Sequence, residues 1–158
     1  MNTMTRIVLL FLAIAIACPL HADSTTAPQK IYAQELVNRL VDKYPDLRVV
    51  AMHVTPPNDT RNVIIASNIG RIGKIADAED LHVIKTGETL AKVNKNGDRF
   101  EVELLMLDAS RKPIGALAIV FPYKAGDDPS QFKTRAEQIR DELADKIPRA
   151  AALMEPRR

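Results

Sequence analysis

The sequence has a single cysteine, Cys18, and no large excess of either charge, with 22 lysines and arginines against 20 aspartates and glutamates. One cysteine excludes an intramolecular disulfide, so any domain here must be held by its hydrophobic core. The charge balance excludes a bulk field for a polyanion. Basic residues are scattered among acidic ones, and no nucleic-acid groove is expected. Metal chemistry is short of material: His53 and His82 are the only histidines beyond residue 22, whereas zinc generally takes three or four protein ligands. Internal repeats and low-complexity stretches are absent, and the one long apolar run, Ile7 to Leu20, falls short of the roughly 20 residues of a membrane span.

That run has a different meaning. Arg6 precedes the uncharged stretch Ile7 to Ala17, and His21-Ala22 follows before the chain turns polar, which is the layout of a secretory leader. Cleavage after Ala22 leaves residues 23–158 as one domain without a thiol, periplasmic or secreted. Ala15-Ile16-Ala17-Cys18 offers a competing site, a weak bacterial lipobox, and only lipidation of Cys18 would place the product on a membrane.

Beyond the leader the apolar pattern alternates between helix and strand periods. Tyr32, Leu36, Leu40 and Tyr44 recur every four residues beside Val37 and Val41, an amphipathic helix stopped by Pro45-Asp46. Leu47 to Thr55 and Asn62 to Ser67 read as a strand pair across the Pro56-Pro57 and Asn58-Asp59 turn. From Asn68 to Asp80 the glycines Gly70 and Gly73 predict a loop with room for a short helical turn. Leu81 to Ile84 and Leu90 to Val93 are expected to be short edge strands. The turn Asn96-Gly97-Asp98 introduces Arg99 to Asp108, with Phe100, Val102, Leu104 and Met106 on one face. Ile114 to Tyr123 is apolar on both faces, as in a covered central strand. Asp128 can cap a last helix with Pro129 in its first turn and a stripe of Phe132, Ala136, Ile139, Leu143 and Ile147, ended by Pro148. The expected class is α+β.

Few residues offer chemistry. Asp77, Glu79 and Asp80 stand near His82 at a spacing that matches no recognised metal site. Haem could take His53 with His82 or Met52, but nothing else argues for it and no Cys-x-x-Cys-His signature is present. Ser67, Ser110 and Ser130 lie in no nucleophile elbow. Glu101 and Glu103 share a strand face, where a solvated edge accounts for them. Gly70-Arg71-Ile72-Gly73-Lys74 could approach an anion through its amides, yet it lacks the eight-residue phosphate loop. No enzyme, metal or cofactor is expected.

The order of elements, with Val63-Ile64-Ile65-Ala66-Ser67-Asn68 followed by Gly73, and Leu107-Asp108-Ala109-Ser110-Arg111-Lys112-Pro113-Ile114-Gly115-Ala116-Leu117, resembles the extracellular PAS-like sensory domains of the Cache type over residues 31–123. The resemblance implies an antiparallel sheet with a long N-terminal helix and a C-terminal helix. It also implies a concave face, roofed by the irregular middle segment, that encloses a small-molecule pocket. In that placement Asn68 and Arg71 would hydrogen-bond a small anionic or polar metabolite, with His53, Met106 and Tyr123 lining the pocket. Such domains usually lie between two membrane helices of a receptor. This chain would instead signal through a separate envelope receptor protein. The alternative is a protein-interaction module of the same fold whose pocket is filled by its own side chains, Phe100, Val102, Leu104 and Met106.

Overall fold

The computed structural model describes residues 30–157, and the leader assigned to residues 1–22 lies outside them. Three helices, α1 (Tyr32–Lys43), α2 (Ala78–Thr86) and α3 (Pro129–Ala144), accompany five strands, β1 (Val49–Val54), β2 (Val63–Ser67), β3 (Leu90–Val93), β4 (Arg99–Leu107) and β5 (Pro113–Pro122). The strands form one sheet in the order β2-β1-β5-β4-β3, antiparallel at every pairing. The class is α+β, with an N-terminal and a C-terminal helix, as expected. Among the described residues no helix is long and apolar enough to cross a membrane.

Strand alternation sends two different sets of side chains to the two faces of the sheet. Val50, Met52 and Val54 of β1, Phe100, Val102, Leu104 and Met106 of β4, and Leu117, Ile119 and Phe121 of β5 join one buried cluster with Leu36, Val37 and Leu40 of α1 and Ala136, Ile139 and Leu143 of α3. Phe132 of α3 stacks on Phe100 with ring centroids 4.9 Å apart. At the surface Glu142 of α3 ties the two helices together, accepting from Lys43 Nζ at 2.7 Å and the Tyr44 hydroxyl at 2.8 Å. The Lys43 bond is the main reason its carboxyl is lowered to about 2. Asp128 caps α3 as read, accepting from the Ser130 N–H at 2.9 Å with Pro129 in the first turn.

Two expectations fail locally. Leu81 to Ile84 is not an edge strand but the middle of α2. Its start is fixed by a capping box: the Asp77 carboxylate accepts from the Glu79 and Asp80 N–H groups, while Asp80 accepts in return from the Asp77 N–H at 2.9 Å. Gly87, in the left-handed region at φ 75°, ends it. Only Val83 of its central apolar residues is fully buried, so the stripe is too narrow to show a helical period. The last helix also stops earlier than expected, at Ala144; Ile147 is nevertheless fully buried, and a 3-10 turn, Ala150–Met154, buries Leu153 beyond Pro148.

Candidate functional site

The opposite face of the sheet carries a different chemistry. Ala51 and His53 of β1, Ala118 of β5, and Arg99, Glu101 and Glu103 of β4 form a floor. Above it the 69–77 segment and the start of α2 form a roof with Arg71, Lys74, Asp77 and Asp80. Between them lies a cavity of about 260 Å³, close to the lower bound of ordinary small-molecule sites. The space follows from side-chain size: in register, Glu103 faces Ala118 and Ala118 faces Ala51, so two methyl groups occupy the middle of the floor.

The roof is held to the edge of β2 by backbone hydrogen bonds. Gly73 N–H donates to the Ile64 carbonyl at 2.8 Å, Ile64 N–H to the Lys74 carbonyl at 2.9 Å, and Ala76 N–H to the Asn62 carbonyl at 2.9 Å. Gly70, Arg71 and Gly73 all have positive φ. For Arg71, at φ 65°, this conformation costs of order 1 kcal/mol or more, and the turn accepts that strain while aiming Arg71 at the cavity mouth. On the floor, the close approach of β5 to β1 requires Gly115: a Cβ there would stand 2.0 Å from the His53 carbonyl oxygen. A break in register between Met52 and His53 lies beside the same residue.

His53 and Asp80 meet at the back of the cavity, both almost wholly buried, with His53 Nδ1 3.1 Å from Asp80 Oδ2. The contact satisfies the distance for a hydrogen bond but is poorly directed, since Nδ1 has no well-aligned acceptor. Burial works to raise the pKa of Asp80. The close contact of His53, the hydrogen bond from the Asp77 N–H and the nearby charge of Lys74 outweigh it and hold the carboxyl below its usual range. For Glu103 the relief from His53 is too weak. Its Oε2 is buried without a hydrogen-bond partner among the described residues, and burial, followed by repulsion from Asp80, Asp77 and Glu79, pushes its pKa up to about 7. The cations stand further out: Arg71, Lys74 and Arg99 are all exposed, and Lys74 lies 3.6 Å from Asp77.

Of the five residues expected to bind a ligand, the structure brings two to this cavity, His53 and Arg71. Asn68 is next to it in sequence but spends its amide on the backbone of β1, accepting from the Val50 N–H at 2.8 Å and donating to the Arg48 carbonyl at 3.1 Å. Met106 is fully buried on the helix face, and Tyr123 packs there near Phe100 and Phe132. Both placements correct the expectation that these two line the pocket, and the reason is strand parity: the bulky face of β4 meets the helices. The same parity puts Glu103 in the cavity rather than on a solvated edge. Asp80, Glu101 and Arg99 were not anticipated there either, whereas Lys74 belongs to the Gly70–Lys74 segment read as able to approach an anion. Leu105 and Leu107, which follow Glu103 on its face, were the available signal that this side is covered. Away from the cavity, His82 is exposed and 3.0 Å from Glu88. Among the described residues no group of three or more His, Cys, Asp or Glu side chains is placed to hold a metal ion.

The fold and this site define an α+β domain with a charged cavity on the sheet face opposite its two long helices. No family model and no curated protein matches the chain. Among solved structures it is similar to the inducer-binding domain of the PobR transcription factor from Acinetobacter, a double mutant in complex with 3-hydroxybenzoic acid, at 11% identity over 74% of this chain and 95% of that one, with a TM-score of 0.41. A likeness of that size says nothing about what this cavity holds.

Proposed function

We propose that this chain is an exported sensory domain of the PAS or Cache type, which binds a small polar metabolite under the α2 roof and passes the signal to a separate envelope protein. The reading assigns it no reaction. The observation that carries it is the cavity itself: about 260 Å³ of space above Ala51 and Ala118, with both signs of charge and a buried histidine on its walls. A domain that needed this face only for stability would be expected to fill it, because empty volume forfeits packing energy. Ionisable groups gathered in a cleft, one of them strongly shifted, are the usual mark of a binding or reactive site.

One further observation favours a second role for the same region. Ile69, Ile72, Ile75 and Leu81 expose 43%, 58%, 52% and 49% of their surface along the roof and α2. Four large apolar side chains within thirteen residues are a surface that another protein could read. In this reading the roof is both the ligand lid and the contact with the receptor, so occupancy of the cavity would alter the face presented to the partner.

The test is a thermal-shift screen of the purified protein against amino acids, small carboxylates, amines, nucleotides, haem and divalent metals. Ligand that binds only the folded state raises the melting temperature with concentration. The reading expects a saturable shift from one class of small polar molecule, and cell fractionation should place the protein in the envelope or medium. Absence of any shift, with recovery of an envelope protein through the apolar roof, would favour the interaction module instead.

A further inference from the structure

We infer that the ligand presents a small organic cation, a primary ammonium, to the Glu103 end of this cavity, where Glu103 Oε2 would accept its hydrogen bond. The inference rests on the ligand-binding reading and names the chemical class for it. It differs from the anion expected at Arg71.

Glu103 Oε2 is buried and has no hydrogen-bond partner among the described residues, and its side chain lines the cavity. His53, 5% exposed, lines the same cavity with Nδ1 turned toward Asp80. A buried carboxylate oxygen without a partner calls for a donor. A carboxylate ligand would bring more acceptors, whereas an ammonium brings three donors and a positive charge.

Charge placement agrees. Glu103 on β4 faces Asp80 and Glu79 of α2, Asp77 at its cap, Glu101 on its own strand and His53 on β1. Lys92 of the neighbouring β3 feels the field of Glu101 and Glu103, but its ammonium is bonded to Glu79. Lys74 is taken up by Asp77, and Arg71 and Arg99 stand at the exposed mouth. Among the described residues no lysine or arginine is paired with Glu103, and the opposing pull of His53 is weaker than burial and the acidic neighbours. The register puts Glu103 directly across from Ala118, so a group lying over that methyl has the Glu103 carboxylate beside it.

Calorimetric titration with phenethylamine and with 3-phenylpropionate, matched in shape and opposite in charge, tests the inference at pH 6 and pH 8. Glu103 gains its charge through pH 7 and the amine keeps its own, so amine affinity should rise roughly tenfold over that interval. Glu103→Gln should weaken amine binding at pH 8 by about tenfold or more and flatten the pH dependence. This substitution removes a buried charge and keeps the shape, and a melting curve verifies that the variant is folded. Propylamine and ethanolamine extend the amine series in case the aromatic ring is too large. Binding of the carboxylate but of none of the amines, or amine binding unchanged in Glu103→Gln, overturns the assignment while leaving a ligand-binding domain in place. Silence of all probes here, together with silence of the whole thermal-shift panel, removes both.

Discussion

The two faces of the sheet share the same strands and differ in almost every other respect. Toward α1 and α3 the strands β1, β2, β4 and β5 send mostly Val, Leu, Ile, Met and Phe, and these side chains interdigitate until the interior is filled. Toward α2 the strands β1, β4 and β5 line the space with Ala51, His53, Arg99, Glu101, Glu103 and Ala118, and a cavity remains. The contrast shows how one sheet presents two faces: β4 and β5 stabilise the domain through one parity of residues and build a charged cavity through the other. The cavity face can then carry costs, such as a buried carboxylate and an arginine at positive φ, because the other supplies the stability.

The largest effect should come from damaging the filled face. Leu104 is fully buried there, and Leu104→Ala should cost about 2–5 kcal/mol by the loss of transfer energy and the cavity left behind, measured as a shift in the denaturant midpoint. A loss below about 1 kcal/mol would mean that this face is less tightly packed than described.

The opposite sign is expected on the other face. Glu103 has its pKa raised from 4.5 to about 7 by folding, so its neutral form is the one the native state favours. Its stabilising contribution is complete below the unfolded value near 4.5 and is lost as pH rises through about 7. Glu103→Gln should therefore match the parent at pH 4 and exceed it at pH 8 by about 1–3 kcal/mol, allowing for partial exposure to solvent. Denaturant unfolding at the two pH values checks this. A variant destabilised equally at both would indicate that Glu103 makes a bond the structure lacks.

The two faces were unequally legible in the sequence. Long elements with a full period, α1, β4, β5 and α3, were readable because burial of a whole stripe or alternate positions leaves a repeated signal. Which face of β4 met the helices was not readable, since Leu105 and Leu107 make its second face partly apolar too, and Met106 was consequently assigned to the wrong side. The helix α2 buries only one central apolar residue, so its identity rests on the Asp77 and Asp80 capping box, with Asp where Glu or Gln is more usual. That box also places Asp80 against His53, a pair 27 residues apart in sequence that no local pattern could join. The conclusion for Asn68 has a similar cause: a side-chain amide beside a loop can serve a ligand or a strand edge, and only the partner atoms distinguish the two.

The most direct measurement is the ligand-induced rise in melting temperature for the parent and for Ala118→Phe, using whichever compound the screen identifies. Ala118 lies in the middle of the cavity floor and is absent from the filled cluster, so a phenyl ring there would occupy the space proposed for ligand. The account predicts a folded variant with a melting temperature close to that of the parent and no ligand-induced rise. An undiminished rise in the variant would show that the ligand binds elsewhere, and would contradict the assignment of this face to recognition.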